Sequence, residues 1–230
     1  MGAQRLGAEG ESMELEVLFE DEDVLVCYKP AGVATQTAKM TEPDMVSMIR
    51  NYRVAKGESD YVGVIHRLDQ PVEGVLVFAK NAAAAAILGK ELKARQFAKY
   101  YYAIVTRENI PETGVLEDYV VKDGRKNRAM VVTESNPRAK KARLSYEVVK
   151  RLDDRSLLDI HLDTGRFHQI LVQLASRTAP ILGDVKYGGS RTGEPLCLCS
   201  YRLQFTHPVS EEGMDFSIKP RGREFGDFFA

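Results

Sequence analysis

The sequence has few cysteines and no long apolar segment. No run approaches the roughly 20 apolar residues that a membrane-spanning helix requires, and the acidic N-terminal region lacks the basic start and apolar stretch of a secretory signal. Three cysteines occur, Cys27, Cys197 and Cys199, and their C-x-C pair has no second pair that would complete a zinc site. We therefore expect reduced thiols and a cytoplasmic protein with neither a membrane nor a metal partner.

The net charge is close to zero, but the charged residues are unevenly distributed. The formal charge of the whole chain is −1. Residues 1–23 contain one basic and eight acidic residues, a balance of −7, whereas residues 122–151 contain ten basic and three acidic residues, a balance of +7. The basic segment 122–151 is either a phosphate-binding face or a set of solvated hairpins. Composition alone leaves both interpretations open.

The hydrophobic pattern predicts a single α+β domain. The 230 residues are 44% hydrophobic and 28% charged, which is typical of a globular protein with one sizeable core. Helical periodicity occurs in MVSMIRNYRVA and in NAAAAAILGKELKARQF, where Asn81 is a suitable N-cap. The β-like segments include MELEVLFEDEDVLVCYKP, KYYYAIV, GVLEDYVV, AMVVTE, LSYEVVKRL and SLLDIHL. This order favours an antiparallel or mixed sheet with a few helices packed against it.

Asp69 lies in a polar segment, HRLDQPVEG, that occupies residues 66–74. The apolar runs YVGVI and VLVFAK flank it, so it is predicted to be a short connection between two buried strands. A carboxylate on a loop between rigid strands is well placed for catalysis. Asp, Pro and Gly are also ordinary turn residues. This segment alone therefore leaves a catalytic and a turn-forming role open.

A second polar segment, DTGRFHQ, occupies residues 163–169. Thr164 and Gly165 predict a turn after the strand SLLDIHL, and HQILVQLASR predicts a helix that follows the turn. Arg166 and His168, near the start of that helix, are suited to bind phosphate or the edge of a base. Taken alone, however, His168 is better explained as a buried histidine bonded to a backbone carbonyl.

Six segments occur in the order that a known family shows. They are YKPAGVATQ, HRLDQPVEGVLVFAK, KYYYAIV, TGRFHQI, PILGDVKYG and YRLQFTHP. Together they resemble the RluA-like family of RNA pseudouridine synthases, from about Glu14 to Pro220. The resemblance implies the pseudouridine synthase fold, an elongated mixed sheet with flanking helices and a central catalytic cleft. It also implies an isomerase that converts a uridine of rRNA or tRNA to pseudouridine without a metal or an organic cofactor.

The resemblance implies roles for individual residues. Asp69 corresponds to the catalytic aspartate, and Tyr101 corresponds to an active-site tyrosine whose ring stacks on the base. Strand alternation places Tyr101 on the face opposite Tyr100 and Tyr102. The target nucleotide is expected to turn out of the RNA into the cleft. The residues expected to contact RNA or to support the loops around it are Lys29, His66, Arg67, Arg166 and His168.

The resemblance also bears on domain organisation. It implies one catalytic domain over residues 13–230, and the first dozen residues, MGAQRLGAEGES, predict a flexible segment at residues 1–12. The small N-terminal RNA-binding domain that the family often carries is not expected. We expect a monomer whose partner is RNA, with the basic segment 122–151 along the RNA path.

The sequence departs from the family pattern at two places. Val72 and Glu73 replace the usual Thr-Ser pair after HRLD, and Glu73 would add a negative charge near the RNA path. Leu171 follows HQI, where the family ordinarily has an arginine that pairs with the catalytic aspartate. Either Arg67 or Arg166 takes over this pairing, or the activity is weakened. A catalytically impaired RNA-binding protein on the same fold is therefore the alternative function.

A metal-dependent hydrolase is a third possibility from the residue types alone. It would use His66, Asp69, Asp163 and His168. The sequence has no close metal-ligand spacing such as H-x-x-x-H to favour it, so we rank it below the two RNA-related functions.

Overall fold

The described part of the chain forms one continuous sheet of eleven strands in a computed structural model, which covers residues 14–38, 42–106, 110–188 and 195–229. The strands, in chain order, are β1 (Glu16–Glu20), β2 (Val24–Lys29), β3 (Gly63–Val64), β4 (Glu73–Ala79), β5 (Ala98–Val105), β6 (Thr113–Asp123), β7 (Arg128–Val132), β8 (Lys140–Leu152), β9 (Arg155–Leu162), β10 (Leu198–Thr206) and β11 (Gly213–Ser217). The helices are α1 (Met45–Ala55), α2 (Ala82–Lys93), α3 (Gln169–Ala175) and α4 (Gly226–Phe229). Within these residues every helix is too short or too polar to span a bilayer. The segment at residues 1–12, which we expected to be flexible, lies outside the described residues.

The sheet is mixed, with a single parallel contact at its centre among the described strands. Its strand order is β1-β2-β4-β10-β5-β9-β8-β6-β7, and β3 and β11 pair with β4 and β10. Only β4 and β10 are parallel neighbours, whereas the other described pairs are antiparallel. The predicted α+β fold with a mixed sheet is therefore confirmed.

Strand β4 is buried on both faces. Val77 lies in an apolar cluster with Leu88 of α2 on one face, and Leu76 lies in a second cluster with Ile49 of α1 on the other face. Burial on both faces explains why the sequence of β4 is continuously apolar. The strand is a rigid base for the loop that precedes it, and that loop contains Asp69.

Two of the three predicted helices, α1 and α2, begin at side-chain caps. Asn81 accepts a hydrogen bond from the backbone N–H of Ala84 at 2.8 Å, and α2 follows directly. Asp44 and Ser47 form a reciprocal capping box at the start of α1. The caps fix where the helices begin. Helix α2 ends at Lys93, on the rim of the cleft described below.

Gly74 allows the central parallel pair to form. Its φ is +146°, and a Cβ at this position would lie 2.5 Å from the carbonyl oxygen of Ser200 on β10. Any side chain would prevent β4 and β10 from approaching. The glycine of HRLDQPVEG therefore has a structural explanation that is separate from the role of Asp69.

Candidate active site

A cleft of about 720 Å³ lies over the centre of the sheet. This volume is within the range of sites that enclose small molecules. The wall is formed by the connection between β3 and β4, the end of α2, strand β5 and the segment from β9 into α3. The fold thus brings together the two polar segments HRLD and TGRFHQ, which are far apart in the sequence.

Asp69 is held in this cleft by hydrogen bonds to its loop. Its side chain is 41% exposed. The hydroxyl of Thr35 donates to the carbonyl of Leu68 at 2.9 Å and accepts from the N–H of Leu68 at 3.1 Å. The N–H of Gly32 donates to the carbonyl of Gln70 at 2.9 Å. These bonds fix the backbone on both sides of Asp69, and the sequence analysis did not identify Thr35.

Lys29 supports the same loop from beneath. Its ammonium group donates to the carbonyls of Pro30 at 2.9 Å, Val33 at 2.5 Å and Gln70 at 3.1 Å. Burial lowers the pKa of Lys29 to about 8, although the negative charge of Asp69 opposes the shift. The side chain is 0% exposed. Lys29 therefore has the supporting role that was expected of it, because it joins the KPAG turn to the Asp69 loop, whereas the expected contact with the cleft is not found.

Tyr101 faces the cleft from β5. Its neighbours Tyr100 and Tyr102 lie on the opposite face, where they stack on His161 and Tyr201 with ring centroids 5.0 Å and 3.8 Å apart. The predicted alternation is confirmed. Burial raises the pKa of Tyr101 to about 12, and the charge of Asp69 adds to the shift. The hydroxyl of Tyr101 therefore keeps its proton at neutral pH and can donate a hydrogen bond.

His168 lies opposite Asp69. It has a left-handed backbone conformation with φ of 49° at the start of α3, and its Nε2 is 3.6 Å from Oδ2 of Asp69. Its ring stacks on Phe167 at 3.8 Å, and its Nδ1 is 2.8 Å from the hydroxyl of Tyr187. Burial lowers the pKa of His168, so the imidazole is neutral near pH 7. The sequence analysis did not identify Tyr187.

The position of the missing arginine is apolar. Leu171 is buried in the core and lines the cleft. Arg67 donates to the side-chain oxygen of Gln36 at 2.9 Å, and Arg166 donates to the carbonyl of Lys141 at 2.9 Å. The expected pairing of either arginine with Asp69 is thus not found. Among the described residues, the basic side chain within 4 Å of the Asp69 carboxylate is His168, which is neutral near pH 7.

Basic residues dominate the wall of the cleft. Those that line it are Arg67, Lys93, Arg95, Lys99, Lys122 and Arg166. The acidic residues in the wall are Asp69 and Asp163, and Asp163 is already paired with Arg143. None of these six basic residues has a carboxylate partner within the described ranges. The cleft is therefore positive although the whole chain carries a charge of −1.

Lys99 and His66 form the deep part of this wall. Lys99 is 9% exposed, and its Nζ is 3.3 Å from the point where a Cβ on Gly165 would lie. Burial lowers the pKa of Lys99, and the charge of Arg166 adds to the effect. His66 accepts the N–H of Val77 at 3.3 Å, and burial lowers its pKa to about 3. His66 is therefore a neutral part of the wall.

Only part of the basic segment 122–151 is available to a ligand. Lys122 lines the cleft. Lys141 and Arg143 pair with Glu117 at 3.3 Å and 2.9 Å. Arg151 pairs with Glu112 at 2.8 Å. These pairs neutralise three of the ten basic residues that give this segment its balance of +7.

Glu73 does not lie where we expected it. Its carboxylate accepts the hydroxyl of Tyr28 at 2.6 Å and the backbone N–H groups of Arg221 at 3.1 Å and Gly222 at 3.0 Å. The residue is 4% exposed. The expected negative charge near the RNA path is therefore wrong, because Glu73 instead anchors the C-terminal segment to β4.

The four residues named for a metal-dependent hydrolase do not form one group. His66 accepts a backbone N–H, and Asp163 pairs with Arg143 and lies 3.4 Å from His161. Among the described residues, the side chains that could hold a metal ion gather at Asp21, Asp23 and His207, which do not line the cleft.

Comparisons with known proteins agree with this geometry. Residues 23–176 match the family described as RNA pseudouridylate synthase. A Helicobacter pylori protein named as an uncharacterized RNA pseudouridine synthase is 30% identical over 90% of this chain and 66% of its own length. The Xylella fastidiosa Ribosomal large subunit pseudouridine synthase D is 33% identical over 89% of this chain and 66% of its own length. The chain thus spans slightly less than two thirds of these relatives.

A solved structure supports the fold. Human RNA Pseudouridylate Synthase Domain Containing 4 superposes with a TM-score of 0.76 and 23% identity, over 92% of this chain and 90% of that chain. At this identity the likeness bears on the fold alone. Together with the match over residues 23–176, it leads to one conclusion: the chain belongs to the RNA pseudouridylate synthase family.

Proposed function

We propose that the chain is an RNA pseudouridine synthase that isomerises a uridine in the cleft. The observation that supports this most directly is the position of Asp69. Its carboxylate is fixed by its loop, lies 3.6 Å from a neutral imidazole and shares the cleft with the protonated Tyr101. Relatives named Ribosomal large subunit pseudouridine synthase D favour rRNA over tRNA as the substrate class.

The isomerisation requires a carboxylate and a proton donor. The bond between N1 of uracil and C1′ of ribose breaks, the base turns, and C5 bonds to C1′. C5 then loses a proton and N1 gains one, so that no atom is added or removed. Asp69 supplies the negative charge, as a nucleophile or as a base. Tyr101 stacks on the base and holds a proton that can be transferred.

The basic side chains that line the cleft would bind the RNA backbone. A uridine reaches Asp69 only after it leaves its stack, which costs a few kcal/mol. Contacts between the protein and RNA phosphates offset this cost. Basic side chains that have no carboxylate partner are available to make these contacts. Lys99 is buried in the wall with no ion pair inside the described ranges. We propose that a phosphate of the extruded nucleotide becomes its partner.

The decisive experiment maps pseudouridine in RNA. Purified protein is incubated with an in vitro transcript of large-subunit rRNA and with total tRNA, and new pseudouridines are located by carbodiimide modification and primer extension. We expect a site in one pool that Asp69→Asn abolishes, because the amide lacks the negative charge, while RNA affinity stays within about threefold. Asp60→Asn, at an exposed position on the surface, is the matched control. Full turnover by Asp69→Asn would contradict the role of Asp69.

The same experiment tests the alternative function. Tight binding of RNA without pseudouridine in either pool would establish a catalytically impaired RNA-binding protein. A cytoplasmic location and a monomer remain predictions. The location is supported by Cys27, Cys197 and Cys199, which are free and buried, as is usual in a reducing compartment.

A further inference from the structure

Tyr187 connects β7 to the imidazole opposite Asp69. The backbone N–H of Ala129 donates to the hydroxyl oxygen of Tyr187 at 2.6 Å, and this oxygen is 2.8 Å from Nδ1 of His168. Burial raises the pKa of Tyr187, so its hydroxyl keeps its proton. Among the described residues, Nδ1 of His168 is the side-chain acceptor that lies within hydrogen-bond distance of this hydroxyl. When Tyr187 donates to Nδ1, neutral His168 carries its own proton on Nε2.

This tautomer directs an N–H group at the carboxylate. Nε2 of His168 is 3.6 Å from Oδ2 of Asp69, slightly longer than a hydrogen bond. Catalytic hydrogen bonds are often long before substrate binds and shorten in the complex. An N–H donor at this position stabilises the ionised form of a carboxylic acid. The opposite tautomer would present a lone pair to the carboxylate and would destabilise the ionised form.

We propose that Tyr187 is a positioning residue for catalysis, which holds His168 in the Nε2–H tautomer so that His168 stabilises the Asp69 carboxylate. The inference rests on the proposed function, because it assumes that Asp69 reacts. Helix α3 has no basic residue, and Leu171 lines the cleft three residues after His168, so the N–H of His168 is the donor available to Asp69 at the start of this helix. Tyr187 acts through His168 and does not itself line the described cleft.

Other charges face this pair and affect its titration. They are Asp69, Lys122, Lys186, Asp184 and Arg128. The two lysines oppose protonation of His168, and the guanidinium of Arg128 lies 5.1 Å from the centre of the Tyr187 ring. These groups remain in place when only the hydroxyl of Tyr187 is removed, so a change in the pH profile can be assigned to that hydroxyl.

Tyr187→Phe removes the hydroxyl and keeps the ring. With an rRNA transcript and saturating enzyme, we expect the single-turnover rate to fall about tenfold, as for the loss of one hydrogen bond. The acid limb of the pH profile should move to higher pH, and the Kd for RNA should not change. Tyr52→Phe removes a comparable hydrogen bond, 2.8 Å to Glu20, away from the cleft, and should retain the wild-type rate and profile.

A second measurement does not depend on activity. Nitrogen-15 NMR of the free protein reports the tautomer of His168, which should be Nε2–H in the wild type and mixed in Tyr187→Phe. An Nδ1–H tautomer in the wild type, or an unchanged tautomer in the variant, would overturn the inference even in an active enzyme. The expected tautomers in a protein that modifies no RNA would instead refute the proposed function and leave the positioning of His168 supported.

Leu171→Arg provides a rescue test. A guanidinium at this position of the cleft can donate to Asp69 directly, so Tyr187 should become dispensable. We expect Leu171→Arg to raise the single-turnover rate about tenfold more in the Tyr187→Phe background than in the wild type. Thermal unfolding verifies that each variant is folded. Equal gains in the two backgrounds would show that Tyr187 does not support Asp69.

Discussion

Removing three basic side chains from the rim of the cleft should weaken RNA binding in a defined way. Lys93, Arg95 and Lys122 line the cleft and are exposed. None of the three forms an ion pair within the described part of the chain. Their positive charges are therefore available to phosphate groups. The triple variant with glutamine at these positions removes three charges and leaves Asp69 and Tyr101 in place.

The expected magnitude follows from counterion release. Removing one phosphate interaction with single-stranded RNA reduces the slope of log affinity against log salt by about 0.7, so removing three reduces it by about 2. When the salt concentration rises from 50 to 200 mM, both proteins should lose affinity for RNA. The loss should be roughly fifteenfold smaller for the variant than for the wild type. The assay is fluorescence anisotropy of a labelled single-stranded RNA, titrated at several KCl concentrations.

A matched variant separates the cleft from the basic segment 122–151. Lys141, Arg143 and Arg151 also carry three charges, but each is paired with a carboxylate. Glutamine at these three positions produces the same change in net charge. We expect it to alter the slope by less than about 0.7, the effect of one phosphate interaction. Equal slope changes in the two variants would refute the assignment of RNA binding to the basic side chains of the cleft that form no ion pair.

Three further predictions concern stability. Because burial lowers the pKa of Lys29 from 10.5 to about 8, the unfolded chain binds more protons than the folded chain between these pH values. The free energy of unfolding of the wild type, relative to Lys29→Met, should thus rise by up to about 3 kcal/mol from pH 7 to 10.5. Urea unfolding measures this, and a flat difference would refute it. In Glu73→Gln, one amide oxygen remains to accept hydrogen bonds from three donors, so the free energy of unfolding should fall by about 2 kcal/mol. The C-terminal segment should also become susceptible to limited proteolysis. A wild-type cleavage pattern would show that Glu73 does not anchor this segment. Leu88→Ala, at a 0% exposed position, should cost about 2–5 kcal/mol in urea unfolding, and a decrease below about 1 kcal/mol would mean that the α2 contact is not part of the core.

The sequence by itself determined the features that depend on neighbouring residues. Helical periodicity and the cap at Asn81 located α2, because a cap is made within one turn of the chain. Strand alternation placed Tyr101 on the face opposite Tyr100 and Tyr102, because successive side chains of a strand point to opposite sides. The ordered motifs indicated the family, and they predict Asp69 as the catalytic carboxylate.

The tertiary structure decided which distant groups meet. Glu73 and Lys29 are buried because their partners come from Arg221 and from the Gln70 loop. The basic segment was divided into paired and unpaired charges by the register between β6 and β8, which sets Glu117 opposite Arg143.

Asp69 and His168 meet where three loops converge over the sheet. The same convergence brings Tyr187 to His168 and so sets the tautomer of that imidazole. Local patterns carry no information about such contacts, because the energy of a hydrogen bond or an ion pair depends on distances that only the folded chain establishes.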